Sequence, residues 1–235
     1  MTLFRNIIFA ATLSGLIAGL LVTVVHSFST VPLILEAEIY ETTAVHAQDG
    51  EAWAPVNGVQ RLASMALANL LTGIGFSLLL CSVFALRGCV MNWRRGMYWG
   101  LAGFAAFTVA PGLGLPPELP GIEAAPLLER QAWWLVTVAV TAGGLAMICL
   151  GSRKSFAIAG GALIVLPHII GVPLPAEHVS LVPEHLVHDF IVTTFLASFF
   201  FWLSLGMLSG WFYHQFAGNA RCSRPNRVAA FAYFC

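Results

Sequence analysis

The sequence predicts an all-α integral membrane protein: about six transmembrane helices arranged as three helical hairpins, with both termini cytoplasmic. Composition is the first reason. Of 235 residues, 58% are hydrophobic and 9% charged, with a mean hydropathy of +0.83, whereas soluble domains carry roughly 25% charged residues. The second reason is six apolar runs, over residues 7–25, 62–86, 97–115, 132–150, 156–172 and 190–212, each near the ~17–25 residues a helix needs to cross a bilayer. The third is the sorting of charge between the gaps that separate these runs.

The first run follows Arg5, as a signal peptide would, but no small-residue cleavage site follows Val24-Val25-His26-Ser27-Phe28. It therefore reads as a retained helix. Basic residues set orientation, counted in short loops and helix flanks. Arg5 precedes the first run, Arg87, Arg94 and Arg95 separate the second and third, Arg153 and Lys154 the fourth and fifth, and Arg221, Arg224 and Arg227 follow the sixth. That places these nine of the 11 Lys and Arg inside and leaves only Arg61 and Arg130 outside. The chain then divides into one membrane domain, residues 1–218, with outer loops at 26–61, 116–131 and 173–189, and a cytoplasmic tail at 219–235.

Within the runs, Gly15 and Gly19, Gly96 and Gly100, and Gly206 and Gly210 are four-apart pairs that permit close helix contact. Trp53, Trp93, Trp99, Trp133, Trp134 and Trp211 fall near run ends, where an interfacial aromatic belt would place them. Cys81, Cys89, Cys149, Cys222 and Cys235 lie on the cytoplasmic side. Thiols there stay reduced, so neither a structural disulfide nor a cysteine zinc site is expected.

All 11 acidic residues fall in the outer loops. The first loop holds Glu36, Glu38, Glu41, Asp49 and Glu51, the second Glu118, Glu123 and Glu129, the third Glu177, Glu184 and Asp189. His26, His46, His168, His178, His185 and His188 lie at the same face, leaving only His214 at the other. Carboxylates contribute little to topology. A negative surface with interspersed imidazoles concentrates cations and offers ligands suited to transition metals. After Pro183, a helix starting at Glu184 would put His185 and His188 on one face, three residues apart, and Glu184 four from His188.

Each outward-running segment ends on proline followed by glutamate: Val31-Pro32 to Glu36, Ala110-Pro111 to Glu118, and Leu166-Pro167-His168 to Glu177. Proline inside a span frees backbone carbonyls, which at membrane depth are tolerated where buried in protein or facing a watery cavity. Pro111 and Pro167 read as functional kinks, and Pro116, Pro117 and Pro175 as helix ends. Broken helices beside carboxylates suit a cation pathway, with His168 the best-placed imidazole.

Several segments resemble one family, the proposed cobalt transporter subunit CbtA. They are Val31-Pro-Leu-Ile-Leu-Glu-Ala-Glu-Ile-Tyr-Glu41, Trp53 to Arg61, Ala68 to Gly75, Trp99 to Phe107, Ala110-Pro-Gly-Leu-Gly-Leu-Pro-Pro-Glu-Leu-Pro-Gly121, Arg130 to Trp134, and Leu166-Pro-His-Ile-Ile-Gly171. The resemblance implies a bacterial inner-membrane protein that imports cobalt for cobalamin synthesis beside a very small, histidine-bearing companion membrane subunit. It implies Glu36, Glu38, Glu41, Glu118 and His168 as metal-binding positions, to which the helical spacing adds His185 and His188. The tail beyond about Asn219 does not share the resemblance.

The leading expectation is thus a divalent transition-metal permease or permease subunit, cobalt by resemblance. It is not an enzyme, holds no tightly bound cofactor, does not bind nucleic acid, and has the lipid bilayer as its surroundings and an oligomer as an option. No Gly-x-x-x-x-Gly-Lys phosphate loop is present. Two other classes remain open: a membrane-embedded haem or redox protein using histidines as axial ligands, and a metal-sensing or assembly subunit that does not transport.

Overall fold

The structure, a computed structural model, describes residues 2–44, 55–88, 90–175 and 182–217. Helices follow in the order α1 (Thr2–Phe28), α2 (Thr30–Ala44), α3 (Val59–Arg87), α4 (Trp93–Phe104), a π-helical turn (Ala105–Val109), α5 (Ala110–Gly114), α6 (Leu127–Leu150), α7 (Lys154–Ile170) and α8 (Glu184–Ala217). The described residues contain no strand.

Every predicted apolar run coincides with helix. Four helices, α1, α3, α6 and α8, are long and apolar enough to cross a membrane. The third run is the interrupted helix from Trp93 to Gly114, and the fifth is the shorter α7, of 17 residues. At 1.5 Å per residue the 34-residue α8 is about 50 Å long, more than a bilayer's hydrocarbon core.

Glycine decides which helices meet. α4 and α8 cross through Gly96 and Gly100 on one side and Gly206 and Gly210 on the other; a Cβ at Gly206 would lie 2.7 Å from the Gly100 Cα. α1 and α3 meet where Gly15 faces Gly73 and Ile74, and Gly19 faces Asn69 and Leu70. α6 and α7 meet at Gly144 and Gly160. In lipid no hydrophobic force pushes apolar helices together, so this close backbone approach supplies the van der Waals contact that holds them. A hydrogen bond between the fully buried Ser77 and Ser209 hydroxyls, 2.8 Å, ties α3 to α8. At the basic end Asn6 Nδ2 donates to the Phe216 carbonyl at 2.6 Å and fixes the start of α1 against the end of α8.

The core lies among α1, α3, α4 and α8. Its aromatic centre is Phe76, Phe107, Phe201 and Trp202, with Phe107 stacked on Trp202 at 5.4 Å and Phe76 tilted against it at 4.7 Å. The turn from α3 to α4 reverses at Gly88, whose left-handed backbone (φ 64) lets its N–H close on the Phe84 carbonyl at 3.1 Å. Arg5, Arg87, Arg94, Arg95, Arg153 and Lys154 collect at one end of the bundle and the described acidic side chains at the other.

Three expectations are corrected. The first hairpin, α1 with α3, forms, but α4 packs chiefly on α8, and α8 also packs on α1, while α7 packs chiefly on α6. The chain is therefore not three hairpins side by side; glycine faces override sequence adjacency. The stretch between the first two apolar runs, expected as a loop, contains a 15-residue helix, α2, with Pro32 in its first turn, where a missing N–H is harmless. Trp99, Trp133 and Trp134 are half-buried rather than lipid-facing: Trp99 packs on Phe84 and Trp134 on Phe107. Trp93 and Trp211 are exposed as a belt requires, and Trp53, Cys89 and the 219–235 tail lie outside the described residues.

Gly206→Ala will lower stability by about 3 kcal/mol, the upper end for overpacking a tight contact. Gly75→Ala, with nothing within 4 Å of its added methyl, will be neutral or stabilising. Thermal unfolding in detergent checks both, and equal effects would contradict packing through glycine contacts.

Candidate functional site

At the acidic end, three segments converge on one apolar cluster: Ala37 from α2, Leu119 from the stretch after α5, and Val182 just before α8 with Leu186 and Phe190 in its first turns. Four of the seven predicted ligands are immediate neighbours of these buried residues. Glu36 and Glu38 flank Ala37, Glu118 precedes Leu119, and His185 precedes Leu186. Burial of the apolar member of each pair is what holds the polar one at the rim.

The two arginines that break the charge asymmetry have partners there. Arg61 Nη1 lies 2.7 Å from Glu38 Oε1, and Arg130 Nη2 lies 2.7 Å from Glu118 Oε2. Two carboxylates of the predicted metal set are thus already neutralised. Glu36 is exposed. α8 starts at Glu184, as Pro183 predicts, with His185 and His188 both exposed on the face opposite Leu186. His188 Nδ1 stands 3.6 Å from Asp189 Oδ1, beyond hydrogen-bond reach. Glu41 belongs to α2, but its side chain lies outside the described residues, as do His46, Asp49, Glu51, Glu177 and His178. His168 sits apart on α7, its ring edge-on to Trp133 at 5.7 Å. Among the described residues, no group of three or more His, Cys, Asp or Glu side chains is placed to hold a metal ion.

Below this cap the helix from Trp93 is interrupted. Ala110 N–H bonds to the Ala105 carbonyl, five residues back, and Pro111 has no N–H, so a carbonyl of the π turn lacks a helix donor. Two cavities adjoin this break. The outer one, about 620 Å³, is lined by Pro111, Pro116, Glu118, Arg130, Gln131 and Trp134, among others. The inner one, about 250 Å³, is lined by His26, Asn69, Thr72, Thr108 and Ser198 between aromatic walls. Phe107, Thr108, Trp134 and Ser198 border both. Pro111 therefore marks a real interruption beside a cavity, whereas Pro167 is accommodated inside α7. Pro116, Pro117 and Pro175 lie beyond helix ends, as expected.

The inner cavity is where sequence reasoning fell short. It counted His26 among the outer-face histidines without assigning it a site, and it did not single out Asn69, Thr72, Thr108 or Ser198. The one usable signal is Asn69, an amide in the middle of an apolar run, which in a bundle turns inward.

A third cavity, about 290 Å³, opens between α3, α4 and α6 and is almost wholly apolar, with Cys149 at its edge. It offers no electron-pair donors to a cation apart from that thiol.

The Glu118–Arg130 pair is less than a third exposed at both ends (26% and 31%), so solvent does not screen it away. A double-mutant cycle with Glu118→Gln and Arg130→Gln will give a coupling of about 1 kcal/mol in detergent unfolding. No coupling would mean the pair is not formed.

No curated protein and no solved structure matches the chain. A family match does extend over residues 4–214, from the start of α1 almost to the end of α8. It is to a transporter-subunit family rather than an enzyme class, and the matched span includes the π turn and Pro111. By that match the chain belongs to the family described as probable cobalt transporter subunit (CbtA).

Proposed function

We propose that this protein is the membrane permease component of a divalent transition-metal uptake system, carrying cobalt for cobalamin synthesis into a bacterial cell. Six spans cross the inner membrane: α1, α3, the interrupted helix from Trp93 to Gly114, α6, α7 and α8. Both termini face the cytoplasm, with the arginine-rich end, by the bias of basic residues toward that side. The acidic cap then faces outward, where Glu36, Glu38, Glu41, Glu118, His168, His185 and His188 form a cation-collecting surface. A small companion membrane subunit completes the transporter, in keeping with the family's description as a subunit.

The observation that carries this reading is the pair of adjoining cavities that lead from Glu118 and Arg130 past the interrupted helix to His26 and Asn69. Polar groups inside a bundle of apolar helices are expensive and mark pathways. A helix broken beside a cavity exposes carbonyl dipoles to a passing cation. The cap's role is collection: the exposed Glu36 carboxylate and the exposed imidazoles, with Glu38 and Glu118 already paired to Arg61 and Arg130, raise the local cation concentration without binding so tightly that release limits flux.

Radioactive cobalt uptake in a transport-deficient bacterium tests this, with the companion subunit supplied. Glu36→Ala with Glu38→Ala will cut uptake about tenfold at low external cobalt and low ionic strength, and much less near saturation or at high salt. Normal insertion with no uptake by the unsubstituted protein would contradict a permease and favour a sensing or assembly role.

A further inference from the structure

The inner cavity has a directional chemistry that follows from two threonines, Thr23 of α1 and Thr30 at the start of α2. Thr23 Oγ1 donates its one proton to the Gly19 carbonyl at 2.7 Å, so toward Asn69 it can only accept. Asn69 Nδ2 donates to it at 3.1 Å. This fixes the amide with its nitrogen committed and its Oδ1 as the remaining acceptor. Thr30 repeats the arrangement one step further along. Its hydroxyl reaches the His26 carbonyl at 3.3 Å, and His26 Nδ1 lies 2.7 Å from the same oxygen. A carbonyl accepts only, so both contacts are satisfied when Nδ1 carries the ring proton. The lone pair of the imidazole is then on Nε2.

Thr23 and His26 are three residues apart on one helix face, so the two assemblies are neighbours. Both hold a cavity-lining side chain by its N–H and leave an electron-pair donor over. Neither Lys nor Arg lines the inner cavity. Such a chamber has no fixed cation to hold an anion, and its free electron pairs suit a cation; an imidazole nitrogen selects borderline transition metals over magnesium or calcium. A histidine whose other nitrogen is anchored by a hydrogen bond is the usual arrangement of a metal ligand.

We propose that this chamber is a membrane-embedded binding site for a divalent transition-metal cation, with His26 Nε2 as nitrogen ligand and Asn69 Oδ1 as oxygen ligand. The inference rests on the permease reading and locates its internal station. Its volume, about 250 Å³, is near that of eight water molecules at ~30 Å³ each. The ion therefore keeps much of its hydration shell and trades one or two waters for protein ligands, with the hydroxyls of Thr72, Thr108 and Ser198 holding the remainder. No carboxylate lines the chamber, so binding is weak and reversible, as a transit site requires. The aromatic rings around it add cation–π attraction.

Equilibrium dialysis with radioactive cobalt on the purified full-length protein, paired with uptake into reconstituted vesicles, tests the proposal. His26→Ala will weaken cobalt binding by tenfold or more and slow uptake in parallel. Thr30→Val keeps the ring but removes its anchor, and will weaken binding about tenfold, within the range for loss of a hydrogen bond behind a ligand. It also serves if His26→Ala does not insert. Wild-type binding and uptake matched by both variants, or by Thr30→Val where His26→Ala does not insert, would overturn the chamber site while leaving the permease reading intact. A wild-type protein that, with the companion subunit present, neither binds nor moves cobalt, nickel or zinc would overturn both.

Discussion

Close backbone contact at glycine is the constraint on which the rest of this protein depends. α8 meets α4 through Gly206 and Gly210 against Gly96 and Gly100, and α1 meets α3 at Gly15 and Gly19. With no side chains between them, these four helices form the tight part of the bundle, and their remaining faces bring together Phe76, Phe107, Phe201 and Trp202. α6 and α7 make their own glycine contact, at Gly144 and Gly160, and join the others mainly through the π turn and α5. The cavities open along that looser seam. Polar space opens beside Trp134 and Phe107, which border both polar cavities, and reaches the α1–α3 glycine contact only at Asn69.

The interrupted helix belongs to both parts of the bundle. Gly96, Gly100 and Gly103 fix its first part against α8, and its second part, from Ala105, borders the outer and inner cavities. A π turn with Pro111 two residues beyond it frees a backbone acceptor where the two polar spaces meet. Phe107, carried on that turn, borders all three cavities. The same residue that stacks on Trp202 in the core is therefore the partition between the polar route and the apolar cleft.

Much of the fold was legible in the sequence, because bilayer thickness dictates helix length and the glycine pairs are spaced for contact. Four of the six apolar runs lie within helices, the runs 97–115 and 156–172 overshoot theirs by one and two residues, and α8 starts at the residue Pro183 predicts. Partner choice was not legible: α4 joins α8 rather than α6 because glycine faces match across a long separation, which no local pattern reports. α2 was read as loop because its glutamates masked a helical stretch. Of the candidate site, Glu36, Glu38, Glu118, His185 and His188 do gather around one cap. Their pairing with Arg61 and Arg130, however, depends on tertiary placement. The inner chamber was least legible, since Asn69 and Thr72, Thr108, and Ser198 come from three different runs and each is ordinary alone.

The proposed passage requires a water-filled route from the acidic end to the chamber beside the π turn. Thiol labelling of Ser198→Cys in membranes, with a membrane-impermeant reagent applied from the acidic side, tests for that route. The unsubstituted protein, with its five native cysteines, supplies the background; among the described residues Cys81 is buried and Cys149 half-buried. Labelling well above background, slowed by added cobalt, is the expected result. An introduced thiol that reacts only after denaturation would show that the route is closed, and would contradict the proposed passage.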